Sequence, residues 1–516
     1  MLTGLRGRLE AADRRNLIRV MPAKGADMSI SASADVLVIG GGVIGLSIAW
    51  RAAQRGMRVT VADPAPGSGA SNAAAGMITP ISEAAYAERE LFRLGRESQR
   101  RYPEFAAELT RLTGEPTGYR QAGTLQVAYD ADDLAMLGEY QALQESFGVP
   151  ARRLTARECR QAEPMLDPAI RGGLLAAEDA SVDPRLLTRA LLAAASKAGA
   201  EIIRQPAAEI LIAGGARASA AQASTPRAAG ARASAAQAST PWAAGARASA
   251  GPASAGRAGA AEAFAAEAGA AQASAARAGG ARASAGRAGA GRAGAGRAAG
   301  ALLGDGTQIL APRVVLAAGW SSDSIAGLPA GTVPPVRPVK GQILRLRSGP
   351  PGLLARSVRG IVRGSSVYLV PRESGELVIG ATQEELGADT RVTAGGVWEL
   401  LRDARTIVPG ITELELAEAV AGLRPGTPDN APVLGPSALP GLVLATGHFR
   451  AGVLLAPVTA DVITDYLATR RMPDLAAAFT PGRFARPTGP PGPGRLRGNE
   501  LPRAARRNTA DEGARP

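Results

Sequence analysis

Apolar and polar positions fall into blocks whose period changes along the chain. Val36–Ile39 is a run of aliphatic residues that stops at Gly40, Gly41 and Gly42 and passes at once into Val43-Ile-Gly45-Leu-Ser-Ile-Ala-Trp50. A short apolar run bounded by glycine predicts a buried strand, and the longer segment behind it a buried helix. Arg58-Val-Thr-Val-Ala-Asp63 repeats the strand pattern, so the first predicted unit is βαβ. Further on, Glu88 to Leu112 carries Leu91, Leu94, Tyr102, Phe105 and Leu109 at helical spacing, and Thr124 to Tyr129 alternates as a half-buried strand does. Thr155-Ala-Arg-Glu158 is a capping box opening a short helix, and Asp183-Pro184 starts another that runs towards Lys197. Ala208–Ala213 and Ala301–Leu310 read as neighbouring strands of a small antiparallel meander. Arg313-Val-Val-Leu-Ala-Ala-Gly319-Trp320 reads as a buried parallel strand ending in small residues, a pattern that a plain core strand shares.

Between the two meander strands the pattern vanishes. Residues 214–300 are almost wholly Ala, Gly, Arg and Ser, with Gly-Ala-Arg-Ala-Ser recurring around Arg217, Arg232 and Arg247. Such a composition buries too little apolar surface to offset the entropy of ordering it, so this is an expected disordered, repeat-expanded insertion at a hairpin tip. The tail 481–516, with Gly489-Pro-Pro-Gly-Pro-Gly494, reads the same way. Residues 1–33 hold no long apolar run, so they resemble neither a secretory signal nor a membrane span, and they are expected to be an unstructured extension with Met28 as an alternative start.

Charge changes its meaning once divided this way. The chain of 516 residues has a formal net charge of +13. The insertion holds ten Arg against two Glu and the tail eight Arg against three acids, which accounts for all of it. The remainder is balanced and does not call for a polyanionic partner. An Arg-rich arm for RNA is the alternative reading of the insertion. It is disfavoured because the arginines are diluted by Ala and Gly and long surface insertions are thermodynamically cheap. A single cysteine, Cys159, excludes intrachain disulfides and a cysteine-cluster metal site, and suits a reducing cytoplasm.

Gly40-Gly-Gly42-Val-Ile-Gly45 is the first stretch that carries chemistry. In a strand–turn–helix context, Gly40 permits the tight turn, Gly42 lets backbone approach a pyrophosphate, and Gly45 lets the helix pack close with its positive end on the phosphates. Asp63 ends the second strand, where a carboxylate accepts from ribose hydroxyls and repels a 2′-phosphate; NAD or FAD therefore fits better than NADP.

Taken together, residues 35–80, 178–188, 313–323, 334–346 and 364–465 resemble the family of FAD-dependent amine and amino-acid oxidases that includes D-amino-acid oxidase and sarcosine oxidase. Within it they are most similar to the glycine oxidases of thiamine biosynthesis. The glycine motif is joined by Ser71-Asn-Ala-Ala-Ala-Gly-Met77, Ala180-Ser-Val-Asp-Pro184, Pro338-Val-Lys-Gly-Gln342, Val367-Tyr-Leu-Val-Pro-Arg372, Ala421-Gly-Leu-Arg-Pro-Gly-Thr-Pro-Asp429 and Gly447-His-Phe-Arg-Ala-Gly452. The extension, the insertion and the tail lie outside the resemblance.

The resemblance implies an α/β fold in which a Rossmann-type FAD-binding domain is interleaved with an antiparallel-sheet α+β substrate domain. The expected division gives 34–85, 150–213, 301–333 and 424–470 to the FAD-binding domain and 86–149 and 334–423 to the substrate-binding domain. It implies noncovalent FAD held by Gly40, Gly42, Val43, Ile44, Gly45, Asp63, Ser71, Ala74, Ala75, Gly76, Met77, Val182, Ala318, Gly319, Trp320, His448, Phe449, Arg450, Ala451, Gly452, Val453 and Leu454. No thiol neighbours the motifs, which argues against covalent attachment. Arg424 is a planar, permanently charged fork suited to a carboxylate, and Tyr368 stands on an alternating strand; the resemblance implies that both hold the substrate carboxylate, with Arg450 bordering the substrate. The turn after Gly447 is expected to lead into a helix from Val453 to Leu467 that faces the flavin pyrimidine edge. Hydride transfer in this family needs no obligatory protein base, so His448, the single histidine, is expected to orient that turn. The implied reaction converts glycine to iminoglycine and then glyoxylate and ammonia, with O2 reduced to H2O2, and feeds thiazole-biosynthesis enzymes. Sarcosine, D-amino acids or proline are the alternative substrates, and a quinone the alternative acceptor. Relatives of this fold often form tetramers.

Overall fold

The computed structural model describes residues 30–149, 152–214 and 296–484. Leu442–Thr446, Val314–Leu316, Val36–Ile39, Val59–Ala62 and Glu201–Ile203 run parallel in that order, and Val433–Pro436 adds an antiparallel edge. Pleating sends successive residues to opposite faces. Val36 and Val38 accordingly join a core with the helices Val43–Gln54, Arg89–Thr113, Pro184–Lys197 and Ala456–Thr469, whereas Leu37 and Ile39 join one with the meander on the other side. Burial on both faces is why the central strands Val36–Ile39 and Val314–Leu316 are continuous aliphatic runs, whereas the edge strand Glu201–Ile203 is partly exposed.

A second, eight-stranded sheet has the order Glu415–Gly426, Arg337–Arg347, Glu376–Gly380, Ser365–Pro371, Ser357–Val362, Thr124–Ala128, Gly172–Ala176, Arg152–Thr155. One face packs on the helix Ala394–Ile407 through Val358, Val367, Leu369, Leu400 and Ile407. The other, through Ile343, Tyr368, Val370 and Val378, meets Ala75 and Met77 at the edge of the parallel layer. That junction is where a cofactor on one sheet can meet a substrate on the other. Both expected caps form: Thr155 accepts from Glu158 while Glu158 accepts from the Thr155 amide, and Asp183 accepts from Arg185 and Leu186.

Several boundaries differ from the sequence expectation. Residues 152–155 and 172–176 pair within the eight-stranded sheet rather than the cofactor domain. The helix Arg89–Thr113, expected with the substrate domain, buries Leu94, Tyr102, Phe105 and Leu109 in the helical layer over the parallel sheet. An amphipathic pattern specifies that one face is buried, not what covers it. The strand Glu415–Gly426 carries Arg424 with it into the eight-stranded sheet. Within the expected N-terminal extension, Ile30–Ser33 pairs parallel to Gln308–Leu310. The strand after the insertion starts at Arg297, with Ala298 fully buried, so 297–300 belong to the fold. The expected tail begins late as well, since Arg483 pairs with Asp429 at 2.7 Å. The rest of the expected disordered segments lies outside the described residues.

Candidate active site

The cofactor half begins at Gly40, whose φ of +103° makes the turn and where a Cβ would lie 2.4 Å from the Ala317 carbonyl oxygen. Gly42 is the N-cap of Val43–Gln54, which has no side-chain cap and no acid in its first turn. The helix thus presents its positive end and early amides to an anion. Ser71 Oγ accepts from the Val43 amide at 3.0 Å. Asp63 accepts from the Gly41 amide at 2.6 Å and from that of Ala65 at 2.7 Å, fixing a carboxylate beside the glycine turn. A glycine-led helix start that lacks a cap from its own N-cap residue, with a positioned acid beside it, fits a dinucleotide.

Ala75 and Val182 are tied together by Arg372, which is buried and donates to both their carbonyl oxygens, at 2.9 Å to Val182. Burial pushes this guanidinium down to about 10, with Asp183 pulling the other way. It therefore holds two of the expected cofactor segments at one distance from the eight-stranded sheet. Met77 pairs with Ser181 across a short two-strand ribbon in the same region.

The turn after Gly447 is not yet helix. A single 3-10 turn spans Phe449–Ala451, and the regular helix begins at Ala456 and ends at Thr469 instead of spanning Val453 to Leu467. The turn is secured from outside: Tyr102 Oη donates to Val453 O at 2.7 Å and Ser98 Oγ to Leu454 O at 2.6 Å. His448 is buried, with Nε2 3.1 Å from Thr459 Oγ1, and burial drives its pKa down to about 3. A neutral imidazole bonded to the following helix orients the turn. On the neighbouring strand end, Thr446 Oγ1 donates to Gly319 O at 3.0 Å, while Trp320 is 37% exposed.

In the substrate half, Arg424 lies across the adjacent strand rather than out into solvent. Its Nη1 donates to Lys340 O at 3.3 Å and Thr382 O at 3.1 Å. A Cβ on Gly341 would fall 2.4 Å from both terminal nitrogens, so the guanidinium occupies the space a side chain would take. Tyr368 does the same on Gly380, where a Cβ would lie 2.2 Å from its hydroxyl. Glycine inside a strand often marks such a close approach. Burial raises the phenol's pKa, and the Arg424 charge works against that rise. Among the described residues Arg424 has no carboxylate partner, unlike its neighbours Lys340, which meets Glu384 and Asp389 at 3.3 Å, and Arg345, which meets Glu376. A half-buried guanidinium without a carboxylate partner among the described residues, beside a half-buried phenol, has the chemistry to accept a carboxylate.

Arg450 stands differently. It is committed to Glu88 at 2.6 Å and lines a shallow cavity with Glu83, Leu91 and Phe92. Burial raises the Glu88 carboxyl, with Arg450 opposing. Cys159 packs into the core beneath the far face of the eight-stranded sheet. Sequence reasoning named neither Gly341 nor Gly380 as making room for the fork and the phenol, nor Arg372 as a clamp, nor the pair Glu83–Arg359 at 2.6 Å beside Tyr368. The signal available was a glycine interrupting each apolar strand.

A family model described as FAD dependent oxidoreductase (DAO) matches residues 35–258 and 257–466. The chain is 29% identical over 451 residues to the bifunctional protein ThiO/ThiG of Trichormus variabilis, covering 87% of this chain and 55% of that protein. It thus spans about half the length of the curated relatives it first matches. It is 29% identical over 436 residues to the glycine oxidase of Geobacillus kaustophilus, covering 84% of this chain and 92% of that one. The crystal structure of glycine oxidase from Geobacillus kaustophilus superposes with a TM-score of 0.67 at 27% identity, over 88% of this chain and 100% of that one.

Proposed function

The chain belongs to the FAD dependent oxidoreductase family, and from that membership we propose that it oxidises glycine, with Arg424 and Tyr368 holding the substrate carboxylate. The observation that carries this reading is the unpaired Arg424 guanidinium lying over Gly341 beside Tyr368, on the face that meets Ala75 and Met77. When bound, FAD supplies a two-electron acceptor that O2 can reoxidise. The protein's share is to bind and orient. Arg424 and Tyr368 fix the carboxylate, which presents the α-carbon towards the Ala75–Met77 side. The glycine-led start of Val43–Gln54, with Asp63 and Ser71, would hold the dinucleotide, and the turn 447–455 would border the isoalloxazine. Overall, glycine, O2 and water give glyoxylate, ammonia and H2O2, with iminoglycine hydrolysed last.

The glycine oxidase and ThiO/ThiG likenesses favour glycine and a role in supplying thiazole biosynthesis. A cytoplasmic setting agrees with that role, and no helix among the described residues is long and apolar enough to cross a membrane. Arg450, being paired to Glu88, is committed to that carboxylate instead of gripping the substrate's. The test is a visible spectrum of the purified protein followed by anaerobic titration with glycine, sarcosine and D-alanine. Bleaching fastest with glycine and recovery in air are expected. Faster bleaching by another amine would transfer the substrate assignment, and a protein that cannot take up FAD would end the reading.

A further inference from the structure

Arg359 stands directly across from Tyr368 in the antiparallel pairing of Ser357–Val362 with Ser365–Pro371. Directly opposed residues share a face of the sheet. Arg359 therefore points to the side on which Tyr368 meets Arg424, and its Nη1 comes within 3.9 Å of Met77 Sδ. The Tyr368 hydroxyl, by contrast, leans over Gly380 on the strand at its other side. The two flanking strands are separated by two interstrand steps, or roughly 10 Å. A second guanidinium thus borders the candidate substrate face on the side away from Arg424.

Unlike Arg424, which has no carboxylate partner among the described residues, it is ion-paired. Glu83 Oε1 accepts from Arg359 Nη1 at 2.6 Å, and both side chains are less than one-fifth exposed. The segment bearing Glu83 is itself pinned. Asp179 accepts from the amides of Ile81 and Ser82, Gln126 Nε2 donates to Ser82 O at 3.1 Å, and Gln144 Nε2 to Ile81 O at 3.3 Å. Both charges also reach the phenol, where Glu83 raises and Arg359 lowers the pKa of Tyr368.

Two uncompensated guanidiniums flanking one tyrosine would let a small amino acid bind in two orientations and would favour a dicarboxylate bridging both. Resting on the amino-acid oxidase reading, we propose that Arg359 is a specificity-determining residue whose affinity for carboxylate is cancelled by Glu83. The candidate substrate face then takes amines bearing one carboxylate, seats that group on Arg424, and turns the amine end towards the Glu83–Arg359 pair.

The test uses the full FAD-loaded chain and two unreactive probes, acetate and succinate, titrated by calorimetry. In the wild type succinate should bind no tighter than acetate. Glu83→Gln, and Glu83→Ala as a second way to release the guanidinium, should raise the succinate-to-acetate affinity ratio at least tenfold. Glu83→Gln/Arg359→Met should return it to the wild-type value. A pair that is only structural would lower thermal stability and leave the ratio alone, which overturns the proposal while acetate binding keeps the Arg424 assignment intact. Absence of acetate binding in FAD-loaded wild type would overturn both.

Discussion

The Arg424 guanidinium rests on Gly341, in space that any larger residue at 341 would fill. Arg424→Ala should raise the KM for glycine about 100-fold, the equivalent of some 2–3 kcal/mol for a lost charge-assisted contact, and leave FAD bound. Gly341→Ala should act in the same direction while keeping the arginine, because a methyl 2.4 Å from both terminal nitrogens must displace the fork. Steady-state kinetics with flavin content measured in parallel checks both. Loss of FAD in Arg424→Ala would move that residue into the cofactor site.

Arg372 joins the Ala75 and Val182 carbonyls from the end of the strand Ser365–Pro371, and its Nε makes no hydrogen bond but lies 4.0 Å from an Asp183 carboxylate oxygen. Arg372→Met keeps much of the volume and removes both hydrogen bonds. The expected result is about tenfold weaker FAD retention, since each bond from a charged donor contributes on the order of 1.5–3 kcal/mol and part of the loss is recovered by relief of desolvation. Dialysis against potassium bromide and fluorimetry of released FAD would measure it. Unchanged retention would mean that the clamp holds only the domains together.

How much could be read in advance depended on whether the parts adjoin in sequence. The strand, glycine turn and helix of 36–54 are contiguous, and so are the caps at Thr155 and Asp183, so local pattern was sufficient. Arg424 and Tyr368 were identified from their motifs, but their meeting depends on register across Glu415–Gly426, Arg337–Arg347, Glu376–Gly380 and Ser365–Pro371. Gly341 and Gly380 acquire a purpose only once that register is known. Ile30–Ser33 was missed for a related reason, because its partner Gln308–Leu310 lies far along the chain. Arg359 shows the limit most clearly, since its ion-pair partner Glu83 lies 276 residues away along the chain.

Asp179 makes a pH signature. It is fully buried, and burial pushes its carboxyl up to about 7 against the opposing amides of Ser82 and Ile81. Between about pH 4 and 7 the folded protein keeps a proton that the unfolded chain has released, so this group's stabilising contribution is full at low pH and is lost as pH rises through that window. Asp179→Asn removes the titration. Denaturant unfolding at pH 5 and pH 8 should show the variant gaining on the wild type by about 2–3 kcal/mol at the higher pH. Parallel pH curves would mean that Asp179 is ionised throughout.

His448 should contribute no such signature between pH 5 and 8, because it is already neutral well above its depressed pKa of about 3. The kcat for glycine should therefore show no inflection removable by His448→Gln, which can keep a bond to Thr459. An ionisation near pH 6 that disappears in that variant would make the imidazole a proton carrier and contradict its role in orienting the turn.

The segment 215–295 can be tested by removal, because the strands on either side of it already meet. Ala213 is paired with Arg297 at the open end of Ala207–Ala213 and Arg297–Leu303. Two paired antiparallel ends need only a short turn to join them. Replacing residues 215–295 with Asn-Gly should therefore preserve FAD content, kcat for glycine and the thermal midpoint within a few degrees. The closure entropy of a long loop grows only as the logarithm of its length, so shortening is expected to stabilise, by about 1–3 kcal/mol at most. Salt-sensitive RNA retention by the full chain, abolished in the shortened one, would instead restore the arginine-rich arm as a functional element. Loss of folding on shortening would mean that the insertion supplies contacts the hairpin needs.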